Sequence, residues 1–282
     1  MNYEDNPKSI KYYVKRYLLD NESDFKDKVL IDLPAGNGVT SRIAHSVGAK
    51  VLPFDLFPEY FQVPDLTCKR ANVLDGIPLN ENQADWIVCQ EGIEHFSDQF
   101  KAFKEFNRVL KDKGKLLLTT PNYSNLRAKL SYFLSESERY NKIMPPNELD
   151  SIWMNNQEIT DEIYFGHIFL VGIQKLRVLS KLAGFRISDI VFTRSRPTSV
   201  ALLPISYPWI YLSNYLNYRR NMRKNKEHSD QTKKSVYKEQ FKLATDPKIL
   251  VDGHLFVIFE KERNYQEVSR YLKSKHKEFG VT

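Results

Sequence analysis

Lys28-Val29-Leu30-Ile31-Asp32-Leu33-Pro34-Ala35-Gly36-Asn37-Gly38 is the stretch on which the fold turns. Val29, Leu30, Ile31 and Leu33 make an apolar run broken only by Asp32, the pattern of a strand buried on both faces of a parallel sheet. Small residues close it into a glycine turn. Val39, Ile43, Ala44 and Val47 then recur at helical spacing, with Gly48 as a stop. The order strand, glycine loop, helix lets the backbone approach a ligand closely and aims the free N–H groups of the first helical turn at its polar atoms.

The next strand, Lys50-Val51-Leu52-Pro53-Phe54-Asp55, ends in an acid 23 residues after Asp32. That is close to the spacing of ~20 expected of a carboxylate that holds ribose hydroxyls, so the two marks together point to a nucleoside ligand. The loop is not the dinucleotide form, because Pro34 occupies the place of that form's first glycine.

At this point the sequence resembles the class I S-adenosylmethionine-dependent methyltransferases, whose first motif is an acid followed by alternate glycines, as in Asp32, Gly36 and Gly38. Pro34 departs from that pattern and removes one backbone N–H. The resemblance continues in order. Ala71 to Leu79 resembles the third-strand segment that touches the adenine, with Asn72 where an acid is usual, and Asp85 to Phe96 resembles the fourth strand with its Glu94-His95 ending. Phe106 to Asn122 resembles the following helix, a turn at Lys113-Gly114 and the fifth strand.

The resemblance implies an α/β fold, a Rossmann-like doubly wound sheet of about seven strands with the last antiparallel. Phe185 to Phe192 and Gly253 to Lys261 would be the sixth and seventh. The 282 residues read as one methyltransferase domain: an N-terminal helix over 1–27, a cofactor-binding core over 28–121, a lid insertion over 122–165, an aromatic-basic insertion over 193–252 and a helical tail over 262–282.

S-adenosylmethionine is the implied cofactor. Asp32, Pro34, Gly36 and Gly38 would hold its methionine end, Asp55 and Leu56 the ribose, Asn72 and Val73 the adenine edge, and Gln90 the side facing the substrate. Transfer to a hydroxyl needs a base, and His95 and His167 are the candidates, imidazole being the side chain that titrates nearest neutrality. Local packing for His95 and a solvent-facing loop for His167 are the alternatives.

Other expectations concern packing. Ile10, Tyr13, Val14, Tyr17 and Leu18 predict an N-terminal helix against the sheet, and Phe100, Phe103, Phe106 and Leu110 a second stripe. Ser124 is placed to cap a helix with Leu126, Leu130 and Phe133 or Leu134 on one face. An acidic, solvated lid is expected from Pro145 to Glu162, and a helix from Ile173 to Ala183 with Leu176, Leu179 and Leu182 inward. Pro204 and Pro208 argue against a long straight helix at the start of the second insertion.

Within residues 202–226 a Trp/Tyr-rich apolar run meets Arg219, Arg220, Arg223, Lys224 and Lys226. This suits a membrane interface or the anionic carrier of a lipid-linked substrate, and equally a homodimer contact with a basic rim. The net charge of +7 leaves room for an acidic partner, yet no basic-aromatic alternation along a strand supports nucleic acid. Cys68 and Cys89 form neither a disulfide framework nor a metal-ligand set. Without a signal-like start or an 18-residue apolar run, a cytoplasmic protein, peripheral on the inner membrane face, is the expectation. Gly166-His167-Ile168-Phe169, the Thr120-Pro121-Asn122 ending and the basic-aromatic insertion resemble methyltransferases that act on sugars in surface-polysaccharide assembly. A glycan or small-molecule acceptor is therefore expected, with a quinone methyltransferase or an inactive scaffold as the rivals.

Overall fold

The apolar run after Lys28 forms the central strand that its pattern predicts. The computed structural model describes residues 2–137, 147, 166–224 and 228–277. Its strands are β1 (Val29–Asp32), β2 (Lys50–Asp55), β3 (Lys69–Arg70), β4 (Ala84–Gln90), β5 (Leu110–Pro121), β6 (Phe185–Ile190) and β7 (His254–Lys261). They make one sheet of seven in the order 3-2-1-4-5-7-6. β1 pairs in parallel with β2 and β4, whereas β7 runs antiparallel between β5 and β6, as the expected fold has it.

Alternation along the strands decides how the two faces are covered. Leu30, Trp86, Val88, Leu117 and Phe256 point to one side, where Ile10, Val14 and Leu18 of α1 (Ile10–Asp20) and Ile43 and Ala44 of α3 (Val39–Ser46) meet them, with Phe25 of the short α2 (Glu22–Phe25). Ile31, Ile87, Leu116, Leu118 and Phe259 point to the other. There they meet Ala102, Phe103 and Phe106 of α4 (Gln99–Val109) and, beyond α5 (Leu126–Ser135), Leu176 of α6 (Ile173–Leu182). Each large side chain so buried stabilises the fold by roughly 1.5–3 kcal/mol.

Several local expectations are corrected. α4 ends at Val109 and β5 starts at Leu110, not after Lys113-Gly114, because the ammonium of Lys261 on β7 donates to the carbonyls of Asn107 and Leu110 and to Asn82 Oδ1. Only Lys69–Arg70 form the third strand, and Ala71 to Leu79 follows it as turns and loop. Asn125, not Ser124, caps α5 by accepting from Ala128 N–H, while Ser124 Oγ accepts from Ile173 N–H and so caps α6. The buried face of α5 is Leu126, Ala128 and Ser131, leaving Phe133 and Leu134 in solvent, and Leu182 of α6 is exposed as well. The acidic lid between Pro145 and Glu162 lies, apart from Asn147, outside the described residues.

After β6 come α7 (Pro197–Lys224), α8 (Asp230–Thr245) and α9 (Pro247–Val251), and after β7 comes α10 (Tyr265–Lys277). α7 runs for 28 residues with both prolines inside it, so neither ends the helix. Pro204 and Pro208 are four apart and both exposed, so the carbonyls of Val200 and Pro204 that lose an N–H partner lie on the wet side and can bond water. Tyr211 and Tyr218 pack on Phe241 of α8, with ring centroids 5.3 and 6.1 Å apart.

Candidate active site

Two carboxylates organise the glycine loop. The Leu33–Pro34 peptide is cis, Gly36 and Gly38 have φ of +53° and +85°, and Gly38 begins α3. Asp55 at the end of β2 accepts the Gly36 N–H at 2.7 Å through one oxygen and the Phe57 N–H at 2.9 Å through the other. Asp32 at the end of β1 is fully buried; its Oδ2 accepts from Ser41 Oγ at 2.6 Å. Burial first, and the nearby Asp55 charge to a lesser degree, push the Asp32 carboxyl up to about 7 against the opposing Ser41 hydrogen bond.

Unused polar atoms collect beside this loop. Asp32 Oδ1 and Gln90 Nε2 are buried and have no partner among the described residues, although Gln90 Oε1 accepts from Thr40 Oγ1 at 2.7 Å. A buried polar atom left unmatched is costly, and at both of these a bound molecule would complete the bonding. Space remains next to Gly36, where a Cβ would meet nothing within 4 Å, while Phe61 and Val63 close over Gly38. This set fits S-adenosylmethionine: an acid with a free oxygen for its ammonium group, a glycine turn for close approach, and a second acid at ribose spacing.

The other residues expected at the cofactor are tied into the protein. Leu56 accepts from Arg70 through its carbonyl at 2.5 Å. Asn72 spends its carboxamide on its own turn, bonding Asp75 and the Leu74 N–H, and Val73 is buried in the core.

The two histidines, far apart in the chain, come together. Their ring centroids are 4.9 Å apart, at 50° to one another, and His95 follows β4 while His167 precedes α6. Glu94 joins them, for one donor atom of each residue lies within 4.8 Å of the others. A carboxylate with two imidazoles can accept a proton, and it is also a donor set that a divalent cation would take.

Sequence reasoning passed over the acids around this pair, although Glu91-x-x-Glu94-His95 at a strand end was their signal. Thr119 Oγ1 donates to Glu91 Oε1 at 3.1 Å and Thr120 Oγ1 to Glu94 Oε2 at 3.0 Å, leaving Glu94 Oε1 buried without a partner among the described residues. Burial raises both carboxyls, and for Glu94 the charge of Glu91 adds to it. His254 Nε2 sits 3.7 Å from Glu91 Oε2, but burial and the charges of Arg196 and Arg194 lower that imidazole to about 4, so it is neutral near pH 7 and forms no ion pair.

A family model described as a methyltransferase domain matches residues 5–189. The chain is 25% identical over 170 residues to a ubiquinone biosynthesis O-methyltransferase of Xanthomonas oryzae pv. oryzae, covering 54% of this chain and 71% of that one. It is 27% identical over 101 residues to a demethylmenaquinone methyltransferase of Chlorobaculum tepidum, covering 34% of this chain and 42% of that one. Among solved structures, an S-adenosylmethionine-dependent methyltransferase from Mesorhizobium loti superposes with a TM-score of 0.51 at 13% identity, over 92% of this chain and all of the other. At that identity the likeness speaks for the fold.

Proposed function

Since the chain belongs to the methyltransferase-domain family of the class I S-adenosylmethionine-dependent enzymes, we propose that it methylates a hydroxyl of a small acceptor, a sugar on a lipid-linked precursor of a surface polysaccharide. The observation that carries the reaction type is the meeting of His95 and His167 beside Glu94, past the carboxyl end of β4. Bound S-adenosylmethionine supplies an electrophilic methyl group on a sulfonium. The glycine loop, Asp32 and Asp55 hold the donor in place, and alignment of donor and acceptor to about 3–3.5 Å supplies much of the rate. As the acceptor oxygen bonds the methyl carbon and the carbon–sulfur bond breaks, the hydroxyl proton passes to an imidazole nitrogen of the pair. Glu94 lies within 4.8 Å of both imidazoles.

A lipid-linked acceptor is supported by the outer face of α7. Ile205, Trp209, Leu212 and Leu216 recur at helical spacing on it, all exposed, and Arg219, Arg220 and Arg223 extend the row. No helix among the described residues is long and apolar enough to cross a membrane, so a lipid surface would be met from the side. The names of the relatives favour a second acceptor, a prenylated phenol, for which the same face would carry the greasy tail. Incubation with radiolabelled S-adenosylmethionine and either a polyprenyl-diphosphate-linked sugar or a prenylated dihydroxybenzoate separates the two. Label in the sugar supports the first reading; label in the phenol alone replaces it with the second. Donor binding without transfer to either, or no donor binding, removes the hydroxyl-acceptor claim.

A further inference from the structure

The segment joining β6 to α7 carries Arg194-Ser195-Arg196, and its backbone is fixed against the start of β7. Ser195 bridges Asp252, Arg194 accepts the Gly253 N–H at 3.0 Å, and the Arg196 N–H donates to Val251 at 2.8 Å. In such an extended piece residues two apart share a face, which puts both guanidiniums on one side. They line a small pocket with Lys8, Ser9, Tyr13 and His254. Arg196 lies so close over Gly253 that a Cβ there would collide with its guanidinium.

The charge in this pocket is only partly compensated, by the field of the Asp252 carboxylate on Arg196. Neither arginine makes a side-chain hydrogen bond or ion pair among the described residues. The adjacent Asp252 carboxylate is committed elsewhere, accepting from the N–H groups of Thr193, Arg194 and His254 and from the Thr193 hydroxyl. His254 is neutral at pH 7, Lys8 adds a charge at the rim, and the charges of Arg127 and Arg194 reinforce burial in holding the Arg196 guanidinium below its ordinary range.

We propose that Arg194 and Arg196 form an anion pocket that holds a phosphate or diphosphate group of the acceptor. The claim rests on the methyltransferase reading and narrows it to a phosphorylated acceptor. Several cations facing one committed carboxylate suit a ligand with more than one negative charge, and paired guanidiniums match phosphate oxygens bidentately. One wall of the pocket faces Glu91. His254 on its wall is 3.7 Å from Glu91, whose charge acts on Glu94 beside the histidine pair. A group anchored here leaves the rest of the acceptor to reach the imidazoles, while α7, which starts at the next residue, leads away toward its exposed apolar face.

Calorimetric titration of the full chain with pyrophosphate, and separately with S-adenosylmethionine, tests the pocket and the parent reading independently. Pyrophosphate should bind saturably, weaken about tenfold or more in Arg194→Gln/Arg196→Gln, and weaken less in the double lysine variant, which keeps the charge but loses the bidentate fork, with cofactor affinity unchanged in both. Non-saturable binding, or equal affinity in the glutamine variant, overturns the proposal. If the glutamine double variant fails to fold, Arg194→Gln alone decides: an unchanged pyrophosphate affinity there overturns it too. Loss of cofactor binding with pyrophosphate binding intact strikes the methyltransferase reading and leaves the pocket standing. Farnesyl diphosphate and uridine diphosphate, titrated next, tell a lipid-linked phosphate from a nucleotide-linked one by which binds tighter than pyrophosphate itself.

Discussion

The carboxylate of Asp55 accepts the backbone N–H of Gly36 at 2.7 Å, so the acid expected to hold the ribose also holds the glycine loop. Hydrogen bonds to an ionised group contribute about 1.5–3 kcal/mol each, so Asp55→Ala should weaken S-adenosylmethionine binding by about tenfold to a hundredfold and lower the melting temperature together. Calorimetry and thermal unfolding check this. Unchanged affinity with lowered stability would make Asp55 a loop clasp only.

Gly38 starts α3 at φ +85°, where a Cβ would meet Val63 Cγ2 at 2.5 Å. Gly38→Ala should therefore cost about 1–3 kcal/mol of stability through strain and collision, more than the change from Gly to Ala restores by reducing unfolded-state entropy. A denaturant midpoint equal to that of the parent chain would show that Phe61 and Val63 yield freely.

Asp32 sets a dependence on pH whose sign can be worked out. Its carboxyl titrates at about 7 in the folded chain against an ordinary 3.8, chiefly because it is buried. Between those values the folded state keeps a proton that the unfolded state has lost, so stability from this group falls as pH rises from ~4 to ~7 and is flat above. The gap corresponds to a loss on the order of 4 kcal/mol. Asp32→Asn should thus gain stability over the parent more at pH 8 than at pH 5 in urea unfolding. An ammonium group set against Oδ1 would pull the carboxyl back down, so cofactor binding near pH 6.5 should release a proton, measurable by calorimetry in two buffers. Equal binding enthalpies in both buffers would place the ammonium elsewhere.

Single substitutions His95→Gln and His167→Gln should lower turnover by roughly 10²- to 10⁴-fold, the range of general base catalysis, while S-adenosylmethionine affinity stays within about twofold. Turnover retained in one of them assigns the proton to the other ring. Retained turnover in the double variant removes the histidines from the chemistry.

Trp209 is 71% exposed on the apolar row of α7. Vesicles containing anionic lipid should blue-shift its fluorescence, and Ile205→Ser/Leu216→Ser or high salt should abolish the shift, since apolar burial and basic residues act together at a lipid surface. A concentration-dependent shift without vesicles would point to a homodimer.

Sequence periodicity carried the sheet. Val29 to Leu33 and Lys50 to Asp55 read correctly because a strand buried on both faces must be apolar throughout, and the spacing of Asp32 and Asp55 is a local property of one strand–loop–helix–strand unit. His95 and His167 were legible as residue types, and so were the arginines. Their convergence was not, because it depends on contacts far apart in the chain. Antiparallel pairing of β7 with β5 sets Pro121 opposite His254, carrying His254 and the arginines beside it to the Glu91 end of β4. α7 continues through two prolines because the carbonyls they leave unpaired lie on its wet side. Spacing thus marked the nucleoside-binding loop, and the resemblance carried by its motifs pointed to the family. Only the tertiary structure decided which titratable and charged side chains face one another, since a register between distant strands is fixed by the whole core and not by any single stretch.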